Sequence, residues 1–155
     1  MYKDHDIMDA VQDLYQEMIL DHKKNPKNFC VLPECTHQAD GHNPLCGDRI
    51  TIYLEVSESV ISRAAFQGSA CAICTASASM MTEALKGATE ESAKSLFENF
   101  HALVTQNDAA PSNGLGKLAA FEGVRQFPMR VKCATLSWHT LMAALSDGPK
   151  VVSTE

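Results

Sequence analysis

A thiol can act as a nucleophile or as a metal ligand, and the stretch Phe66-Gln-Gly-Ser-Ala-Cys-Ala-Ile-Cys-Thr-Ala-Ser-Ala-Ser-Met80 sets two of them at the mouth of a run of small residues. Gly68 ends an apolar run. Beyond it Ile73, Ala76, Ser77, Met80, Met81, Ala84 and Leu85 recur at helical spacing until Lys86-Gly87, which places Cys71 near the N-terminus of a helix. The unpaired backbone N–H groups and the helix dipole favour an anion there, so this thiol is expected to ionise below the free value of about 8.5.

Two other stretches offer a cysteine beside charged or turn-forming residues: Asn43-Pro-Leu-Cys-Gly-Asp-Arg49 and Arg130-Val-Lys-Cys-Ala-Thr135. Gly47 lets the chain turn so that Cys46 and Asp48 can both point inward. Cys46, Asp48, Cys71 and Cys133 then make a four-coordinate set suited to zinc, three thiolates and a carboxylate. Three cysteines so far apart in sequence identify a metal site only with further support, and redox chemistry stays open beside metal binding.

The other candidates read as structure. Cys30-Val-Leu-Pro-Glu-Cys35 contains a proline and has no matching second pair, so these are read as ordinary free cysteines rather than a metal clip. His22, His42, His101 and His139 are scattered and read as structural or surface groups, with His42 set apart by lying four residues before Cys46. Ser77 and Ser79 have no base nearby in sequence, which gives a serine nucleophile little support.

The elements that must position the thiols follow from periodicity. Ile7, Val11, Leu14, Tyr15, Met18, Ile19 and His22 share one face of an amphipathic helix that Asn25-Pro26 ends. Cys30 to Asp40 reads as a loop. Strict alternation in Arg49-Ile-Thr-Ile-Tyr-Leu-Glu-Val56, a turn at Ser57-Glu-Ser59 and the run Val60 to Phe66 predict a β-hairpin. Residues 41–45 add a short third strand that delivers Cys46 to the end of the sheet. Thr89 caps a second helix with Ala93, Leu96, Phe97, Phe100 and Val104 as its stripe, and Leu115 to Phe121 make a short one. Pro128 opens the last helix, with Cys133 early in it, and Val151 to Glu155 are expected to fray.

The chain has 155 residues, 45% hydrophobic and 21% charged, which suits a single globular domain spanning 1–155. No export signal and no apolar run long enough for a membrane span is visible, and a cytoplasmic protein is expected. Six cysteines in such a chain favour metal or redox roles over a disulfide framework. A net charge of −6 without a basic run argues against nucleic acid and for a protein partner or small ligand.

Taken together, Gly41-His-Asn-Pro-Leu-Cys-Gly-Asp48, Phe66-Gln-Gly-Ser-Ala-Cys-Ala-Ile73 with Ala76-Ser-Ala-Ser79, and Arg130-Val-Lys-Cys-Ala-Thr135 resemble the SufU branch of the IscU/NifU-N-terminal family of iron–sulfur cluster assembly proteins, from about Leu14 to Leu145. Lys132 stands where IscU-like scaffolds carry histidine, and residues 90–127 look like the insertion of SufU-like proteins. The resemblance implies an α+β fold, a small three-stranded antiparallel sheet with about five helices packed on it. It also implies one zinc site formed by Cys46, Asp48, Cys71 and Cys133. Its implied partners are a SufS-type cysteine desulfurase, which donates persulfide sulfur, and downstream iron–sulfur assembly proteins. The alternative it leaves is a scaffold carrying a transient iron–sulfur cluster. Cys74 stands where the family has serine, and Cys30 where glycine is common. Within that reading Asp48 is the exchangeable ligand. Cys133, flanked by Arg130 and Lys132, is the expected persulfide acceptor, and Cys46 beside Arg49 is the next candidate.

Overall fold

The computed structural model of the protein describes residues 16–106, 115–146 and 150–154. A sheet of β1 (His37–Asn43), β2 (Asp48–Ser57), β3 (Val60–Ser69) and β4 (Val151–Ser153) runs in the order β3-β2-β1-β4. Helix α1 covers the described residues 16–24. It is followed after the hairpin by α2 (Ala72–Leu85), α3 (Glu90–Thr105), a 3-10 segment (Gly116–Gln126) and α4 (Pro128–Leu145). These are the five helical segments among the described residues, and the α+β expectation holds.

The alternation of β2 sends Ile50, Ile52 and Leu54 into the core under α2 and α4. β3 pairs with it antiparallel through a turn in which Glu58 (φ 51°) and Ser59 (φ 64°) are both left-handed, the conformation that a tight type I′ hairpin demands. The hairpin is therefore where alternation placed it. The third strand begins earlier than expected, at His37 rather than Gly41, because Ala39, Gly41 and Asn43 alternate inward while Gln38 and Asp40 face solvent.

The expectation of a three-stranded antiparallel sheet is corrected. Residues 151–153, expected to fray, form a fourth strand parallel to β1, with Asp40, Gly41 and His42 opposite Val151, Val152 and Ser153. What holds them is remote in sequence. Lys150 Nζ donates to the terminal carbonyls of α4 at Ala143 (3.0 Å) and Ala144 (3.3 Å), and also to Ser146 O. This places a cation where the helix dipole is negative. Its own carbonyl accepts the Asp40 N–H at 2.7 Å.

The helices pack through small residues and aromatics. Ser77 of α2 donates to Ala134 O of α4 at 2.6 Å and accepts the Trp138 indole N–H at 3.1 Å, so this buried polar group is satisfied on both sides. Trp138 stacks on Phe100 at 4.6 Å, and Phe121 meets Phe100 edge-on at 5.7 Å. Burying such rings contributes about 1.5–3 kcal/mol each. Thr89 caps α3 by accepting the Ser92 N–H at 3.0 Å, as its sequence predicts. The segment expected as a short helix over 115–121 is a longer 3-10 run ending at Gln126.

Helix α1 packs Met18 and Ile19 against the core and stops at Lys24, two residues before Pro26, with Asn25 N–H bonded to Asp21 O at 2.8 Å. Ile7, Val11, Leu14 and Tyr15 lie outside the described residues. His22 is a structural histidine: its Nδ1 lies 2.7 Å from Ser79 Oγ, and burial pushes its pKa down. No helix among the described residues is long and apolar enough to cross a membrane.

Candidate metal centre

The β1–β2 loop, β2, α2 and α4 each deliver one of the four ligands expected from sequence. The loop between β1 and β2 carries Cys46, then reverses at Gly47, whose φ of 71° is the left-handed conformation glycine adopts without strain. Asp48 is consequently the first residue of β2 and points inward, 1% exposed. Cys71 is the N-cap of α2, its sulfur 3.5 Å from the Cys74 N–H. Cys133 lies in the second turn of α4 and is 3% exposed. Pro128 sets the start of that helix, and so the height at which Cys133 emerges.

The donor atoms of Cys46, Asp48 and Cys133 all lie within 4.8 Å of one another, the one such group of three or more among the described residues. Cys133 Sγ is 3.3 Å from Cys46 Sγ. Cys71 joins through Asp48: its Sγ is 3.8 Å from Asp48 Oδ2, and its backbone N–H donates to Asp48 Oδ1 at 2.7 Å. Cys46, Asp48 and Cys133 therefore form one group, with Cys71 attached through Asp48, from positions 87 apart between the first and last thiol.

Other candidates lie elsewhere. Cys30 is exposed, and Cys35 packs beside Leu32, Tyr53 and Ala65; all six cysteines are free. Cys74 is wholly buried in the main core. His42 sits on β1 opposite Arg49 and is not part of the thiol group. Arg130 stacks over the Phe127 ring at 4.4 Å. Asn43 was not singled out from sequence. It is fully buried, its Nδ2 donates to Cys133 Sγ at 3.6 Å, and its Oδ1 accepts the Leu45 N–H at 3.3 Å. The signal was present in Asn43-Pro-Leu-Cys46, since asparagine before a turn bonds its own backbone two residues on.

The profile of the NifU-like N-terminal domain matches residues 14–134. The chain belongs to this family. Among its relatives is the zinc-dependent sulfurtransferase SufU of Bacillus subtilis (strain 168), 43% identical over 83% of this chain and 86% of that one. The iron–sulfur cluster assembly scaffold protein IscU of Streptococcus pyogenes serotype M1 is 35% identical over 89% of this chain and 86% of that one. The crystal structure of a candidate iron–sulfur cluster assembly scaffold protein for the SUF system from Fervidobacterium islandicum AW-1 superposes with a TM-score of 0.80 at 33% identity, covering 84% of this chain and 95% of that one.

In this NifU-like domain the thiols differ electrostatically. A hydrogen bond from Cys133 pushes the Cys71 pKa down to about 7, against the effect of burial and with help from the Cys74 N–H. The same pairing with Cys71, together with burial, drives the Cys133 pKa far up. Burial likewise raises Cys74. The donor set fits zinc. Zn–S bonds of about 2.3 Å place tetrahedral donors roughly 3.8 Å apart, and the separations of 3.3 Å between Cys46 and Cys133 and 3.8 Å between Cys71 and Asp48 lie near that value. Cys46, Cys71 and Cys133 would hold the ion through sulfur and Asp48 through oxygen.

Proposed function

We propose that this chain works in iron–sulfur cluster assembly as a zinc-dependent acceptor and relay of persulfide sulfur from a SufS-type cysteine desulfurase. The observation that carries the reading is the convergence of Cys46, Asp48 and Cys133 within 4.8 Å, with Cys71 held onto Asp48. Zinc, when bound, keeps thiolates deprotonated at neutral pH without redox change. The thiols of the chain supply the rest.

In the transfer step a thiolate attacks the outer sulfur of the desulfurase's cysteine persulfide. A new sulfur–sulfur bond forms on this chain as the old one breaks, and the desulfurase cysteine leaves as a thiolate; no net oxidation occurs. Exposure now bears on which thiol attacks. Cys46 is exposed and Cys133 is buried, so Cys46 is the first acceptor in this reading and Cys133, 3.3 Å behind it, the next station. Asp48 orients Cys71 by accepting its N–H.

The scaffold reading draws on the relatives named IscU. Clusters are commonly held by four thiolates, whereas Cys74 is turned into the core and leaves three thiols at this site. The test is metal analysis of the purified protein followed by peptide mass mapping after one turnover with desulfurase and cysteine. Zinc in a colourless protein and an added sulfur on the Cys46 peptide are expected. A reddish-brown anaerobic protein that gains no sulfur would overturn the relay in favour of the scaffold.

A further inference from the structure

Away from the thiols, α3 and α4 bring two imidazoles together edge to face, with 77° between the ring planes. His101 and His139 have ring centroids 5.8 Å apart, and Phe97 packs against both at 5.7 and 5.4 Å. Both rings are half-buried. The half-buried His37 pairs through one nitrogen with Thr36 Oγ1 at 2.8 Å, and the buried His22 with Ser79 Oγ at 2.7 Å. Neither His101 nor His139 has a ring hydrogen bond among the described residues; their contacts are to each other and to Phe97. His139 also lines an open groove of about 680 Å³ between α4 and β4.

The geometry points to a second metal site, in which His101 and His139 bind one divalent borderline cation such as zinc, with water completing the coordination. Metal–nitrogen bonds of about 2.0–2.1 Å put the ring centroids of two histidines on one ion about 5–6 Å apart, the spacing found here. Neutral imidazole is the form that binds, and here burial and the neighbouring His101 both lower the pKa of His139. The donor set selects zinc, nickel or copper over magnesium and calcium, which prefer oxygen. The site is independent of sulfur transfer, and such an ion would tie α3 to α4.

The test follows the histidine ring resonances of the purified chain while zinc is added beyond the amount taken by the thiol centre. His101 and His139 should shift together in one saturable transition while His22 and His37 stay in place, and magnesium should move neither. His101→Gln and His139→Gln should each remove that transition and weaken uptake of the extra zinc by at least roughly tenfold. The idea falls if one ring moves without the other, or if both folded variants keep every zinc equivalent. The wild-type spectrum decides without any substitution, so a variant that fails to fold does not protect the inference.

Discussion

Cys71 and Asp48 grip each other twice, through a backbone N–H bond of 2.7 Å to one carboxylate oxygen and a sulfur contact of 3.8 Å to the other. One carboxylate thus fixes where α2 begins and how its capping sulfur faces the site.

Asp48→Ala separates these roles. The three thiols remain to hold zinc, so metal content should persist, while stimulation of the desulfurase and sulfur acceptance drop. The freed Cys71 N–H costs the fold about 1–3 kcal/mol, read by urea melts. Asp48→Asn keeps an acceptor and should recover most of that stability. A metal-free, unfolded Asp48→Ala protein would show that the carboxylate is structural alone.

Cys74 behaves differently from its neighbour. Because its side chain is wholly buried, Cys74→Ser places a hydroxyl in an apolar core at a cost of about 1–3 kcal/mol. Zinc content and sulfur acceptance should be unchanged in the folded variant. Loss of either, measured by metal analysis and mass spectrometry, would move Cys74 into the centre.

Metal-free, reduced protein should alkylate at Cys71 with a rate that rises through a midpoint near 7, since the thiolate is the reacting form and its pKa is pushed down to about 7. Cys74 and Cys133, both raised, should stay protected across that range. Peptide mapping at a series of pH values reads all three. A Cys71 midpoint in the ordinary thiol range would mean that the hydrogen bond from Cys133 is not made in solution.

Gly41 is where β1 meets α4, for a Cβ there would collide with Thr140 Oγ1 and come within 3.1 Å of Leu136 Cδ1. Gly41→Ala should destabilise by about 1–3 kcal/mol. Thr140→Ala removes the colliding oxygen, so the double variant should be more stable than the two separate losses predict, with a coupling of about 0.5–3 kcal/mol. Since Asn43 follows two residues later and bonds to Cys133, Gly41→Ala should also weaken metal retention. Strict additivity would mean that the strand and helix part easily at this point.

Local signals were legible wherever a single element decided the outcome. Alternation announced β2, small residues and Gly68 announced the start of α2 at Cys71, and Pro128 announced α4. What stayed hidden depends on partners distant in sequence. Val151 and Val152 are strand only because β1 offers an edge and Lys150 clamps onto the end of α4, which three residues cannot declare alone. Asn43 supports Cys133 across 90 positions, a relationship without periodicity. The stacking of the Arg130 guanidinium over Phe127 could likewise not be read from the adjacency of Arg130 and Cys133 along the chain.

The 3.3 Å between Cys46 and Cys133 has a consequence for handling the protein. Two sulfurs at that distance, one of them open to solvent, are a disulfide in waiting once no ion keeps them apart and an oxidant arrives. Ageing in air after chelation should therefore link these two peptides, and the damaged molecules should refuse zinc until a reductant is added. The ion would then protect the thiols that it uses, and the empty centre would be the form with the short shelf life.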